Sequence, residues 1–319
     1  MAAVGFYIVK GIWLLMSLLP LKVLYFISDL LFYPIYYLVR YRRKVVRKNM
    51  TNSFPEKSAA EIKKIEKEFY HSLCDYFVET MKLYGMSKEE VRRRIEFTGL
   101  EKVNEYLGDG KSVVVYMAHS FNWEYVTSIP LWFNHKNTVI GQIYHPLENV
   151  QFDDFFKKLR NQYGSENIAM KSTLRRIVDI AKQKQQFIIG FIADQVPTWN
   201  EIHHWVDFLN QDTPVFTGTE KIAKRTNSAV FYLHVRRVKR GKYNAHFEFM
   251  ADNAASLPDN ELTNMYYKLL EDGIKEQPSM WLWTHNRWKR TRQGWIERQE
   301  KLAERKRLAE NKQSSDSGK

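Results

Sequence analysis

The run Val113-Val114-Val115-Tyr116-Met117-Ala118-His119-Ser120-Phe121-Asn122-Trp123-Glu124 holds the residues best suited to chemistry. A β-branched apolar stretch delivers a histidine, and a carboxylate follows five positions later. Val-rich runs sit inside parallel sheets, and α/β enzymes place reactive groups at the carboxyl ends of such strands. A histidine can take a proton from an alcohol near neutral pH, and a carboxylate on its other ring nitrogen fixes the tautomer and stabilises the charged ring. His119 with Glu124 therefore suits transfer of an acyl group onto a hydroxyl. Spacing alone does not decide this. With 36 Asp and Glu among 319 residues and 9 histidines, chance supplies roughly one such pair, and the chain has one. The competing reading is a core histidine at a strand end with an unrelated surface glutamate.

Two more constellations bear on the same chemistry. Phe187-Ile188-Ile189-Gly190-Phe191-Ile192-Ala193 is a second apolar strand, ending at Asp194-Gln195. Thr217-Gly218-Thr219-Glu220-Lys221 opens a helix, whose free N–H groups can bind a carbonyl oxyanion or another anion. Ordinary loop and helix capping by Asp and Thr competes with that reading. Trp281-Leu282-Trp283-Thr284-His285-Asn286-Arg287-Trp288-Lys289-Arg290 interleaves aromatics with cations. Such a run suits a phosphate-bearing lipid or a nucleic acid, or else a Trp-anchored core edge with a solvated basic face. No glycine-rich phosphate loop, zinc helix or Gly-x-Ser-x-Gly elbow is present in the sequence.

The elements that must position these groups are legible in outline. Helical apolar spacing runs through Ile62, Ile65, Phe69, Leu73, Phe77 and Met81 over residues 58–84. Short elements are expected at 87–94 and 95–98, with a helix over Leu100–Leu107. The strand Val113–Met117 reaches His119, and a helix starts near Asn122. A strand follows at Thr138–Ile143, then helices at 149–163 and 171–184, the strand ending at Ala193, a strand near Trp205–Leu209 and a helix from Thr217 through Arg225. A hairpin is expected from 229–238 and 243–250 about Gly241, then a helix over 259–275. Strands alternating with helices give an α/β fold with a mixed, mostly parallel sheet flanked by helices. Three regions follow: an apolar anchor over 1–40, the main domain over 41–290 and a charged helical tail over 291–319.

Charge and the amino terminus narrow the partners. The net charge is +13 and the pI ≈ 9.5, which favours an anionic partner: anionic lipid, an acidic carrier protein or nucleic acid. Residues 6–39 are apolar and aromatic but interrupted by Lys10, Lys22 and Asp29, and Arg40, Arg42, Arg43, Lys44, Arg47 and Lys48 follow at once. That pattern predicts a retained anchor, either one tilted span or a helix lying in the interface, with a buried soluble hairpin as the alternative. It also accounts for the positive charge without nucleic acid. A mean hydropathy of -0.48 excludes a multi-span protein. The single cysteine, Cys74, provides neither an intrachain disulfide nor a zinc cluster, and no metal site is expected.

The order of these motifs resembles the lauroyl/myristoyl-type acyltransferases of lipid A biosynthesis, within the wider lysophospholipid acyltransferase superfamily. The resemblance runs from the apolar amino terminus to about Arg290. It rests on His119-x4-Glu124, on Tyr144-His145-Pro146 with a helix ending at Arg160, on Asp194-Gln195, on Thr217-Gly218-Thr219-Glu220-Lys221-Ile222-Ala223, and on the closing Trp281 to Lys289 motif. It implies a membrane enzyme on the cytoplasmic face of the bacterial inner membrane. Such an enzyme moves a fatty acyl chain from acyl carrier protein, or sometimes coenzyme A, onto a hydroxyl of a lipid A precursor, with no further cofactor. His119 is then the general base and Glu124 its orienting partner. Asp194, Gln195, Arg160 and Arg287 become candidates for substrate contact or for holding the site together. Two departures are His145, where the family often has Arg, and Asn286, where it often has a basic residue. Both lower the fixed positive charge and point to an acceptor with fewer phosphates or to another lipid. A glycerophospholipid or aminolipid acyltransferase and a non-enzymatic membrane-surface binder are the competing functions.

Overall fold

The computed structural model describes residues 2–134 and 136–316; the last three residues of the charged tail lie outside them. The chain opens with α1 (Ala2–Leu18) and α2 (Leu21–Tyr33), separated at Pro20, and a π-helical turn over Pro34–Val39. Then come α3 (Arg43–Ser53), α4 (Ala59–Leu83), α5 (Lys88–Arg92), β1 (Ile95–Thr98), α6 (Leu100–Gly108) and β2 (Val113–Met117). A 3-10 helix over Trp123–Trp132 leads to β3 (Thr138–Tyr144), α7 (Val150–Asn161), β4 (Glu166–Ala169), α8 (Thr173–Lys182) and β5 (Gln186–Ile192). The remainder is β6 (His204–Phe208), β7 (Gln211–Val215), α9 (Gly218–Thr226), β8 (Ala229–Lys239), β9 (Lys242–Ala251), α10 (Glu261–Glu276) and α11 (Arg292–Asp316).

One seven-stranded sheet has the order β1-β9-β8-β2-β5-β3-β4, and β6 with β7 forms a separate antiparallel ribbon. Every pairing in the large sheet is parallel except the β8–β9 hairpin. The expected α/β class with a mostly parallel sheet is therefore the observed one. β2 and β5 lie side by side in its middle, and every residue of β2 is buried. This is why both read as unbroken apolar runs rather than alternating ones. Their register pairs Val113 with Ile188 and Met117 with Ile192. The two strands therefore end together, and the residues just beyond them, His119 and Asp194, meet.

Three local differences from the expected elements have physical causes. The segment after Asn122 is a 3-10 helix, with Asn122 as its cap and Pro130 inside it. β4 is only four residues long and half of it, Glu166 and Asn167, is polar, so it lacks the apolar signature of a strand. β7 contains Pro214, which argues against a central strand but is tolerated in a two-stranded ribbon.

The amino-terminal helices are fastened to α4 by polar contacts. Tyr25 donates to Glu79 (2.8 Å), Ser28 to Asp75 (2.7 Å) and Tyr36 to Glu66 (2.9 Å). Arg240 bridges Asp29 and Asp75 from the β8–β9 turn. The opposite face is bare: Tyr7, Ile12, Leu15, Phe26, Leu30 and Leu38 are all exposed. Residues Leu21–Val39 are long and apolar enough to cross a membrane, with a mean hydropathy of 1.3, though 22% of that stretch is buried against the protein.

Candidate active site

His119 sits two residues past β2, and its Nδ1 lies 2.7 Å from Asp194 Oδ1. The backbone N–H of His119 donates to Asp194 Oδ2 (2.9 Å), and the Trp281 indole donates to the same oxygen (2.7 Å). Burial alone would push this carboxyl up. The charge of His119, the two hydrogen bonds from His119 and the one from Trp281 outweigh that and hold Asp194 at about 2. A carboxylate on Nδ1 keeps the ring proton there and leaves Nε2 as the basic nitrogen. The Gln195 amide nitrogen lies 3.3 Å from Nε2.

The pairing expected from the sequence is corrected here. Glu124 makes no hydrogen bond to His119 among the described residues; the carboxylate on the imidazole belongs to Asp194. Glu124 is buried and held by Arg160 in a two-pronged pair (2.9 and 2.6 Å). The reason is local. Asn122 Oδ1 accepts the Glu124 N–H and starts the 3-10 helix there, which carries the carboxylate toward α7. A link to the histidine remains through Trp123. Its indole N–H donates to Glu124 (3.2 Å), and its ring stands edge-on to His119 at 5.0 Å.

His119, Glu124, Arg160 and Gln195 all line one cavity of ≈ 980 Å³. Its floor is the sheet, where Val115, Gly190 and Gln142 are register partners, and Val126 and Ile129 of the 3-10 helix also line it. At Gly190 a Cβ would lie 2.6 Å from Met117 Sδ, so the methionine tip would have to move to admit a side chain there. Mostly apolar walls with a few convergent polar groups are the usual form of a site for an apolar ligand with a reactive end. Exposed Lys171, Lys221 and Arg225 stand along the same opening, as does His145. Gly218 and Thr219, at the N-terminus of α9, also reach the cavity.

The closing Trp-rich motif holds the site from behind instead of forming an outer basic face. Ser120 and Trp281 form an isolated antiparallel bridge, with Phe121 N–H donating to Met280 O and Leu282 N–H to His119 O. His285 Nε2 accepts the Val196 N–H, and burial pushes that imidazole down to about 4, so it stays neutral. Arg287 is fully buried and absent from the cavity wall, which removes it as a substrate contact and leaves its second expected role. It donates to Pro214 O and to the Tyr267 hydroxyl, which donates in turn to Ala193 O, next to Asp194. Tyr266 donates to Met117 O at the end of β2. These two adjacent tyrosines of α10 pin both strand ends, a role with no sequence signal beyond their adjacency. Tyr267→Phe leaves the Ala193 carbonyl without this buried partner and is expected to cost about 1–3 kcal/mol in denaturant unfolding. An unchanged unfolding midpoint would show that the bond contributes nothing.

Comparison with known proteins follows the same lines. The family model for bacterial lipid A biosynthesis acyltransferase matches residues 1–290. The chain is 23% identical over 256 residues to the lipid A biosynthesis palmitoleoyltransferase of Escherichia coli (strain K12), covering 78% of this chain and 79% of that protein. The same figures hold for a lipid A biosynthesis acyltransferase of Shigella flexneri. A lipid A biosynthesis acyltransferase of Haemophilus influenzae is 20% identical over 198 residues, covering 62% of this chain and 60% of that one.

Proposed function

The chain belongs to the bacterial lipid A biosynthesis acyltransferases, and from that premise we propose that it moves a fatty acyl chain from a carrier-bound thioester to a hydroxyl of a lipid A precursor, with His119 as the base. The observation that carries this reading is His119 Nε2 beside the apolar cavity while Nδ1 is held by Asp194. The acceptor hydroxyl gives its proton to Nε2 as its oxygen attacks the thioester carbonyl. The tetrahedral oxyanion then collapses, the C–S bond breaks, and the imidazolium returns the proton to the departing sulfur. Asp194 stays ionised throughout and stabilises the charged ring. Gln195 and the N–H groups at the start of α9 supply hydrogen-bond donors for the oxyanion. Glu124 holds Arg160 at the cavity wall as a fixed cation.

Acyl carrier protein is the preferred donor in this reading. Exposed Lys171, Lys221 and Arg225 at the opening, together with the net charge of +13, favour an acidic protein carrier. The test is incubation of the purified protein with acyl carrier protein thioester or acyl-coenzyme A and a lipid A precursor, followed by acceptor mass. Gain of one acyl chain from the carrier protein supports the reading; gain from coenzyme A alone overturns the donor assignment. No gain from either donor overturns the acceptor. His145 at the opening carries less fixed charge than the arginine the family often has there, which favours a glycerophospholipid or aminolipid as second acceptor. A deletion strain with intact lipid A mass and another lipid lacking one chain would select it.

The enzyme works at the cytoplasmic face of the inner membrane in this reading, with α1 and α2 lying in the interface. Their bare apolar face enters lipid, while Tyr25, Ser28, Asp29 and Tyr36 stay bonded to the body of the protein. A span would strip those bonds in an environment that cannot replace them. Lys22→Cys and Arg40→Cys, at the two ends of Leu21–Val39, are therefore expected to react with an impermeant maleimide from the same side of the membrane. The native Cys74 is buried and leaves the background low. Labelling from opposite sides would establish a span.

A further inference from the structure

The long helix α4 carries three buried carboxylates, Glu66, Asp75 and Glu79, each facing the amino-terminal helices. Glu66 is paired with Arg43 and Arg47, and Asp75 with Arg240. Glu79 differs. It is 0% exposed, and its hydrogen-bond partners are three neutral donors: Tyr25 (2.8 Å), Tyr243 (2.8 Å) and the Asn122 amide (3.2 Å). A carboxyl buried without a cation is strongly unfavourable when ionised. Burial pushes Glu79 up to about 7, against the pull of those three bonds.

We propose that Glu79 is a positioning residue for acyl transfer, gathering α2, β9 and the loop after His119 so that Asn122 faces one way and seats Glu124. The contacts run in sequence. Asn122 spends its NH2 on Glu79 Oε2, which turns its carbonyl oxygen toward the Glu124 N–H (3.1 Å). Glu124 then receives Arg160 and the Trp123 indole, and the Trp123 ring abuts His119. Glu79 accepts from the Asn122 NH2 while the Glu124 N–H donates to its oxygen, so the two bonds together hold the amide one way round. Because Tyr25 belongs to the apolar amino-terminal region, the same bond set ties that region to the active-site loop. The backbone pairing of β9 with β1 and β8 does not itself run through Glu79.

The inference rests on the acyl-transfer reading, and its test separates the two. Glu79→Leu, Glu79→Gln and Asn122→Ala are compared by steady-state transfer and thermal unfolding. Glu79→Leu is expected to lower kcat by about tenfold or more, with KM for the acyl donor within about twofold. Glu79→Gln keeps the shape and an acceptor oxygen and is expected to stay within about threefold of wild type. Glu79→Leu combined with Asn122→Ala is expected to be no worse than the poorer single variant, because both cut the same chain of contacts. A cooperatively folded Glu79→Leu with wild-type kcat, or losses that add in the double variant, overturns the proposal. Should Glu79→Leu fail to fold, Asn122→Ala and Tyr25→Phe carry the same expectation of reduced kcat at constant KM, and wild-type kcat in both overturns it. The NMR signal of the Trp123 indole N–H gives a substrate-free readout. A wild type that transfers no acyl chain defeats the functional reading, whereas an indole signal unmoved by Asn122→Ala or Glu79→Leu defeats this one.

Discussion

Replacing His119 by alanine is expected to lower turnover by about 10²–10⁴-fold, the usual contribution of a positioned general base. The side chain is 19% exposed, so the change removes a group at the cavity wall and not a packed core residue. Asp194 keeps two of its three donors, the His119 backbone N–H and the Trp281 indole. The fold should therefore survive with a loss of about 1–3 kcal/mol, the cost of one missing partner at a buried acceptor. Thioester consumption and acceptor mass, measured beside a denaturant curve, separate the two effects. Turnover within a few-fold of wild type would remove His119 as the base and with it the proposed chemistry.

The strands that carry the site were legible because they are apolar on both faces. Val113–Met117 and Phe187–Ala193 announce central parallel strands, and His119 and Asp194, which follow them, form the pair at the site. What one-dimensional reading obscured was which carboxylate the histidine meets. Glu124 is five residues away and Asp194 seventy-five, so proximity along the chain favoured the wrong acid. Only the β2–β5 pairing, a long-range contact, brings Asp194 to the imidazole. For the closing run two readings stand open in the sequence, a lipid- or nucleic-acid-binding surface and a Trp-anchored core edge; the structure has the core edge, with Trp281 buried, and only the fold shows that its indole is bonded to Asp194. Glu66, Asp75 and Glu79 were invisible for a related reason. Acids on a helix with an apolar stripe look like its solvated face, and nothing in the spacing shows that the amino-terminal helices cover them. The apolar amino terminus, by contrast, is visible as composition, but whether it spans or lies flat depends on those hidden bonds.

Asp194→Asn is expected to match His119→Ala in activity while differing from it in pH dependence. Asparagine fits the space, but its NH2 turned toward Nδ1 donates where the carboxylate accepted. The ring proton then moves to Nε2, and the nitrogen facing the cavity can no longer take a proton. Turnover should fall by about 10²–10⁴-fold in a folded protein. Stability should change too, because the wild-type carboxyl is held at about 2 against an ordinary 3.8. A carboxyl depressed by folding stabilises the native state above its unfolded pKa, and that contribution is lost as pH falls through the folded value. Here it amounts to about 2 kcal/mol at pH 7, disappearing between about pH 4 and pH 2. Asparagine does not titrate, so the variant lacks this acid limb. Denaturant unfolding at pH 7 and again near pH 2 should show the wild-type advantage shrinking by that amount. An advantage that stays constant across this range would mean that Asp194 is not held ionised by His119 and Trp281, and a variant with undiminished turnover would separate the histidine's tautomer from catalysis.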